Sequence, residues 1–197
     1  PLSGVGEDRK GAAWYRRTAR FSAPGEVFLV IGAADYEARV FVNGRFAGAH
    51  RGGYDEIRLN VTGLWDKDGE NEIAVRVEDL DASSQTRGKQ GYGEIRGIWQ
   101  TVYLEAAPRT RLERVKIETK MDGRIRVLAT VRAQGGPATL TAAFDGREFS
   151  KALDLPAGEA SVELDFVLEN PRLWSPDEPN LYEGELRLGE DCVSTYF

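Results

Sequence analysis

The sequence predicts an all-β protein composed of two β-sandwiches in tandem. Apolar and polar residues alternate in most segments, turn signals recur about every ten residues, and evidence for helices is thin. In residues 36–44, "YEARVFVNG", Tyr36, Ala38, Val40 and Val42 share one face, which is the pattern of a half-buried strand. The one helix-like stretch of the first half, "VTGLWDKDGEN", contains two glycines and predicts a turn or a single helical turn.

The first block of the chain contains further alternating stretches. They are "WYRRTARF", "EVFLVIG", "RFAGAHR", "YDEIRLNV" and "NEIAVRVED". Asn43-Gly44 separates two of these strands and predicts a type I′ hairpin, because that turn needs a positive φ at both central positions. We therefore expect a first β-sandwich domain over residues 1–107.

A second block begins near Ala107-Pro108 and has the same kind of patterning. Its predicted strands are "LERVKIETK", "GRIRVLATVRAQ", "ATLTAAFDG", "SVELDFVLE" and "LYEGELRLGE". Its predicted turns are Asp122-Gly123, Gly135-Gly136-Pro137, Asp145-Gly146 and Ala157-Gly158. About seven short strands in about 90 residues are typical of an immunoglobulin-like sandwich. We expect this second domain over residues 108–197.

Composition restricts the classes of function. The 197 residues carry 41% hydrophobic and 29% charged side chains, an ordinary globular balance, and the net charge of -6 argues against nucleic acid as a partner. The only cysteine, Cys192, cannot form a disulfide within the chain, and the only histidine, His50, excludes most histidine-based metal sites and is interpreted as a turn residue. We expect no metal and no cofactor.

The sequence contains no signal for a membrane or for a compartment. No apolar run approaches the ~20 residues that span a bilayer, and "PLSGVGEDRKG" at the N-terminus lacks an apolar signal core. It also lacks an initiator methionine, so we expect the chain to be a piece of a longer one. A bacterial cytoplasm or periplasm is our expectation for its location.

The stretch "RGKQGYGEIRGIWQTVYLE", residues 87–105, contains the candidate binding residues. Its glycines permit close backbone approach, and Tyr92 and Trp99 offer flat apolar faces with a polar group. Arg87, Lys89 and Gln90 supply hydrogen-bonding groups. This mixture suits a sugar, with its hydroxyl rim and its C–H faces. It suits a protein interface equally well, and a plain loop is the third interpretation.

No catalytic centre is evident in the sequence. A glycosidase needs two carboxyl groups placed about 5–10 Å apart. Asn71-Glu72 opens a strand, and Asp177-Glu178 lies between two prolines in what is best interpreted as a turn. No phosphate loop, zinc spacing or nucleophile elbow is present. We predict that the chain contains no catalytic residue.

Several stretches taken together resemble glycoside hydrolase family 2, the family of β-galactosidases, β-glucuronidases and β-mannosidases. They are "WYRRTARF", "GAADYEARVFVNGRFAGAHRGGYDEIRLNVT", "GENEIAVRVED", "RGKQGYGEIRGIWQTVYLE", "LWSPDEPNLY" and "DCVSTYF". The resemblance implies a jelly-roll (galactose-binding-like) sandwich, shortened at its N-terminus, followed by an immunoglobulin-like sandwich. In the family a (β/α)₈ barrel with both catalytic glutamates comes next, and this chain ends before it.

The resemblance also implies a function. The longer protein would hydrolyse O-glycosyl bonds of β-linked sugars, while this part would brace the barrel and contribute a loop to the sugar site. In several galactosidases and glucuronidases of the family, an aspartate six residues before the glycine of "GIW" approaches the substrate. This chain has Gly91 there, so Lys89 and Gln90 are the expected replacements. The expected partners are a β-glycoside, bound together with the barrel, and a second copy of the chain, bound through the β-domains.

Two alternatives remain open. The chain could be a purely structural or oligomerisation module, or a free-standing carbohydrate-binding module whose aromatic candidates are Trp65, Tyr92 and Trp99. In either case we expect Trp174 and Tyr182 of the "LWSPDEPNLY" stretch to pack in or against the second sandwich.

Overall fold

A computed structural model describes residues 11–79 and 96–197. The chain divides into two compact units, Pro1–Ala106 and Ala107–Phe197. The described residues form strands joined by turns and contain no helix, so the predicted all-β class is confirmed. Within the same residues, no helix exists that is long and apolar enough to cross a membrane.

The strands of the first unit are short. They are β1 (Ala13–Ala19), β2 (Glu26–Ile31), β3 (Ala34–Asp35), β4 (Glu37–Val42), β5 (Arg45–Arg51), β6 (Ile57–Asn60), β7 (Asn71–Glu78), β8 (Gly97–Ile98) and β9 (Val102–Ala107). They form one sheet in the order β1-β7-β4-β5, a second in the order β6-β2-β9, and a small β3-β8 pair. His50, predicted to lie in a turn, lies within β5 instead.

The core of the first unit lies between its two larger sheets. Alternate residues of β2, β4 and β7 are buried in a single apolar cluster. Ala38, Val40 and Val42 are fully buried, as the alternation of β4 predicts. The β2 strand differs, because all five residues from Val27 to Ile31 are buried, as expected for a strand that is covered on both faces.

Local turn chemistry behaves as predicted in the first unit. Asn43 and Gly44 have φ values of 51° and 72°, which is the type I′ arrangement that closes the β4–β5 hairpin. The "VTGLWDKDGEN" stretch forms turns and no helix. Trp65 of that stretch is only 6% exposed, and its indole N–H donates to the Phe21 carbonyl at 2.9 Å. Trp65 is therefore a core residue, and the interpretation of it as an aromatic binding surface is wrong.

The second unit contains two unusually long strands. Its strands are β10 (Arg111–Thr119), β11 (Arg124–Phe144), β12 (Arg147–Val167), β13 (Glu183–Leu188) and β14 (Asp191–Tyr196). The hydrogen-bonded order is β10-β11-β13-β14, with β12 paired along β11. The first half of β11 pairs with β10 and its second half with β13, so this strand contributes to both layers of the sandwich.

Two of the predicted turns are bends inside these long strands. Gly135, Gly136 and Gly158 have positive φ values of 97°, 100° and 104°, yet the pairing of β11 with β12 continues across them from Arg124↔Val167 to Phe144↔Arg147. Glycine at these points lets the hairpin bend from one layer to the other without ending. The prediction of turns at Gly135-Gly136-Pro137 and Ala157-Gly158 is therefore wrong, whereas Asp145-Gly146 does close the hairpin.

The "LWSPDEPNLY" stretch packs only in part. Tyr182 is 9% exposed, its hydroxyl accepts a hydrogen bond from the Arg172 N–H at 2.7 Å, and its ring stacks on Phe197. Trp174 is 61% exposed, although its backbone bridges to Pro179. The prediction holds for Tyr182 and fails for Trp174, because the bridge fixes the backbone and leaves the indole in solvent.

Candidate functional site

The sequence-predicted binding residues divide into two groups. Arg87, Lys89, Gln90 and Tyr92 lie outside the described residues. Trp99 is described and lies directly after β8 in the first unit. The candidate site is accordingly built from Trp99 outward.

Two hydrogen bonds fix Trp99 at both ends. Its backbone N–H donates to the Ala33 carbonyl at 3.2 Å, beside the short pairing of β3 with β8. Its indole N–H donates to the Gly53 carbonyl at 2.7 Å. These two bonds set the orientation of the indole. The indole is also 37% exposed, so one part of the ring remains open to solvent.

A second aromatic side chain extends this exposed surface. The Tyr54 ring lies edge-on to the Trp99 ring, with centroids 5.9 Å apart and planes at 73°. Tyr54 is 74% exposed. Sequence reasoning missed Tyr54, although its position one residue after Gly53 in "RGGYDE" is the available signal. The pair presents apolar faces and a phenolic hydroxyl together, a combination suited to the two surfaces of a sugar ring.

The backbone before Trp99 is held by Tyr15 of β1. The Ile98 N–H donates to the Tyr15 hydroxyl at 3.3 Å. Gly97 has a φ of 82°, and a Cβ at this position would collide with the same hydroxyl. Glycine is therefore required here for two reasons, the positive φ and the close approach of Tyr15.

Three charged side chains accompany the aromatic pair. Arg96 forms a 2.8 Å ion pair with Asp79, whose side chain is only 9% exposed. Burial and the negative charge of Asp79 raise the pKa of Asp35, and Arg96 opposes this effect. A Cβ on Gly53 would lie 2.7 Å from an Asp35 carboxylate oxygen, so Asp35 packs against the residue whose carbonyl holds Trp99.

These contacts assemble one cluster from five side chains. Asp35, Tyr54, Asp79, Arg96 and Trp99 come from distant points of the chain and are linked through Gly53 and the β3–β8 pair. The cluster offers apolar ring faces, carboxylate acceptors and guanidinium donors. Such groups can orient a polyhydroxylated ligand by stacking and hydrogen bonding.

The Asn71-Glu72 pair considered from the sequence has a structural role. Asn71 is fully buried within a turn network, and the Glu72 carboxylate accepts a hydrogen bond from Arg16 at 2.6 Å. Over residues 11–79 and 96–197, no three His, Cys, Asp or Glu side chains are grouped so that they could hold a metal ion.

The comparisons with known proteins all point to the same family. Residues 110–197 match the model for glycosyl hydrolases family 2. A β-galactosidase of Leuconostoc mesenteroides is 30% identical over 179 residues, which is 82% of this chain and 17% of that protein. A β-galactosidase of Clostridium acetobutylicum is 26% identical over 165 residues, which is 80% of this chain and 18% of that protein.

Similarity to solved structures extends over almost the whole chain. The crystal structure of a Bacteroides uniformis β-glucuronidase superposes with a TM-score of 0.81 at 23% identity, covering 95% of this chain and 26% of that one. At this identity the match speaks for the fold, and it agrees with the predicted jelly-roll and immunoglobulin-like sandwiches. The chain spans about a fifth of the length of the curated relatives. The family match, the relatives and the shared fold together confirm the resemblance of this chain to glycoside hydrolase family 2.

Proposed function

We propose that this chain is the non-catalytic part of a β-glycosidase, in which it braces the catalytic domain and supplies one wall of the sugar site. The observation that carries the proposal is the fixed, exposed Trp99 indole, held by the Gly53 carbonyl beside Tyr54 and the Asp35, Asp79 and Arg96 side chains. Side chains that contact a sugar bind it more tightly when their orientation is fixed beforehand, because each side chain that must be ordered on binding reduces affinity.

The relatives support the class of substrate. Proteins named β-galactosidase are similar to most of this chain, and a β-glucuronidase shares its fold. Such enzymes use one carboxylate as nucleophile and another as acid and base when they act with retention. The proposal places neither role on a residue of this chain and assigns hydrolysis to another part of a longer protein.

Tryptophan fluorescence tests the sugar wall directly. The purified chain is titrated with galactose, glucuronic acid, mannose and their β-linked disaccharides. We expect a saturable change at millimolar concentration, about 4 kcal/mol of binding, which Trp99→Phe abolishes. Trp174→Phe is the matched control, because it removes an indole from the other unit that is even more exposed than Trp99. A flat response to every sugar would remove the sugar wall from the proposal and leave only the bracing role.

Hydrolysis is tested separately with nitrophenyl β-glycosides of the same three sugars. The expected result is no release of nitrophenol above a mock preparation. Release by the purified chain that survives further purification would overturn the non-catalytic assignment.

One observation favours a second candidate, a structural or oligomerisation module. Leu173, Trp174 and Leu181 of the second unit are 46%, 61% and 44% exposed, and exposed large apolar residues are a feature of contact surfaces. Sedimentation over a hundredfold range of concentration distinguishes the two. A dimer that persists at the lowest concentration and is lost in Trp174→Ser would favour the second candidate.

A further inference from the structure

A separate group of exposed aromatic residues lies on the outer face of the β1-β7-β4-β5 sheet. Trp14 and Phe46 are 61% and 58% exposed, and Phe41 lies between them and is partly buried. The Trp14 and Phe41 centroids are 5.9 Å apart, and those of Phe41 and Phe46 are 5.6 Å apart. We call these three residues the aromatic strip. None of them belongs to the Trp99 cluster.

Two local features create the strip. On β7, the residue paired with Phe41 is Ala74, and the residue paired with Trp14 is Arg76. The small side chain of Ala74 leaves the space across which the indole reaches Phe41. A tryptophan on β1 and a phenylalanine on β4 can therefore touch although β7 lies between their strands.

A β-bulge turns Phe46 to the same face. Along β4 and β5 the pairing passes from Val40↔Gly48 to Phe41↔Phe46, so Ala47 is an extra residue on β5. Ala47 packs toward the core, and Gly48 accommodates Leu59 of the other sheet. Without the bulge, strict alternation would place Phe46 on the core side. The irregular pairing at Ala47 is therefore what places the Phe46 ring on the outer face.

Ion pairs border the strip. On one side the Arg16 Nε lies 2.6 Å from a Glu72 oxygen. On the other side Glu37 accepts from Arg39 at 2.9 Å and from Arg51 at 2.7 Å. A further pair joins Arg76 to Glu78 at 2.8 Å. Each of these arginines faces a carboxylate, so the border offers many hydrogen-bonding groups whose charges are largely compensated.

This combination selects among ligand classes. Because each arginine is paired with a carboxylate, the border attracts a polyanion only weakly. Its N–H groups and carboxylate oxygens can still form hydrogen bonds with the hydroxyls of a sugar. Exposed aromatic rings can stack on the C–H faces of pyranose units. The distance between neighbouring ring centroids, 5.9 Å or 5.6 Å, is close to the length of one such unit. The ring planes are inclined by 33° and 65° to their neighbours, so the surface fits a single twisted chain rather than the flat face of a crystalline polymer.

We propose that the aromatic strip formed by Trp14, Phe41 and Phe46, with its ion-paired border, is a binding site for a soluble, neutral oligosaccharide chain. The site is independent of the Trp99 cluster and of the proposed function, since it shares no residue with either. It would hold a glycan polymer against the first unit through at least two adjoining sugar units.

Affinity electrophoresis with soluble polysaccharides tests the proposal. The chain is run in native gels that contain β-glucan, xyloglucan, galactomannan or the acidic polymer alginate. We expect at least one neutral polymer to retard the chain, with at least a tenfold loss of affinity in Trp14→Ala and in Phe46→Ala. Both side chains are largely exposed, so these variants are expected to fold, and circular dichroism and thermal unfolding check this directly.

A matched variant separates this site from other exposed indoles. Trp174→Ala removes an exposed indole of the second unit and should leave retardation unchanged. The proposal is overturned if no neutral polymer retards the chain, if Trp14→Ala binds like the wild type, or if alginate binds more tightly than every neutral polymer. It is also overturned if Trp14→Ala changes only the sedimentation mass, because the strip would then bind a second copy. Loss of sugar response in Trp99→Phe alone concerns only the proposed function.

Discussion

The side-chain amide of Asn43 donates a hydrogen bond to the side-chain oxygen of Asn71 at 2.8 Å, which ties the β4–β5 turn to the start of β7. The Asn43 oxygen in turn accepts from the Glu72 N–H at 2.9 Å. Asn71 also accepts from the Asp66 N–H and donates to the Asp66 carbonyl, both at 2.7 Å. Two asparagines thus satisfy the polar groups of two turns that are distant in sequence.

Asn71→Ala is expected to lower the free energy of unfolding by about 2–3 kcal/mol, because the variant leaves several polar groups without partners around a fully buried position. Urea unfolding at constant m-value measures the loss. Glu70→Ala is the control, since it changes the exposed neighbouring side chain. Equal losses in the two variants would mean that the network contributes nothing.

Gly97→Ala should destabilise the chain more than Gly44→Ala does. Both positions have a positive φ, 82° and 72°, but a Cβ at residue 44 meets open space whereas one at residue 97 meets the Tyr15 hydroxyl. We expect a loss of about 1 kcal/mol for Gly44→Ala, the usual cost of a left-handed residue with a side chain, and a clearly larger loss for Gly97→Ala. Thermal unfolding compares them.

A double variant identifies the cause of that difference. In Tyr15→Phe/Gly97→Ala the colliding hydroxyl is absent, so part of the lost stability should return relative to the sum of the single changes. Strict additivity would show that strain at residue 97 does not come from Tyr15.

The sequence predicts local structure well in this chain because the decisive chemistry is local. Asn43-Gly44 and Asp145-Gly146 favour positive φ at adjacent positions, and each pair closes a hairpin. Gly135-Gly136 carries the same signal and does not end a strand. A positive φ is compatible with a turn and with a bend, and the pairing of β12 along β11, set by residues far away, decides between them.

Burial is harder to predict from a single sequence than strand position. Trp65, Trp99 and Trp174 all lie near glycine or proline, yet they are 6%, 37% and 61% exposed. Each value depends on which distant carbonyl or strand the indole meets. Phe46 is a similar case, because a one-residue bulge at Ala47 reverses the side to which it points. For this reason the sequence analysis named Trp99 as a candidate and did not name Tyr54, Asp35 or the aromatic strip.

Asp35→Asn should remove a destabilising effect at neutral pH. Burial and then Asp79 raise the pKa of Asp35 above the ordinary value of 3.8. The folded chain therefore holds this proton more tightly than the unfolded chain, and stability falls as pH rises from about the ordinary value through the raised pKa. The asparagine variant should lack this fall and be at least as stable as the wild type at pH 7.

Urea unfolding of both proteins between pH 3 and pH 8 makes this measurement. Asp55→Asn is the control for the loss of one carboxylate, because it changes an exposed aspartate of the same unit. A parallel pH dependence in Asp35→Asn and the wild type would contradict the assignment of the fall to Asp35.

Glu37 should give the opposite dependence on pH. Hydrogen bonds from Arg51 and then from Arg39 hold the pKa of Glu37 below its ordinary value of 4.5. The unfolded chain therefore binds this proton more readily than the folded chain does. The contribution of Glu37 is fully present above about the ordinary value and is lost as pH falls through the lowered pKa.

Glu37→Gln removes this contribution, so the variant should lose less stability than the wild type between pH 5 and pH 2. Arg51→Gln takes away the larger of the two causes and should give an intermediate slope, since Arg39 still contacts the carboxylate at 2.9 Å. Urea unfolding across this range yields all three slopes. If Arg51→Gln kept the full wild-type slope, the low pKa would have to come from Arg39 alone, and the two arginines would not act on Glu37 together.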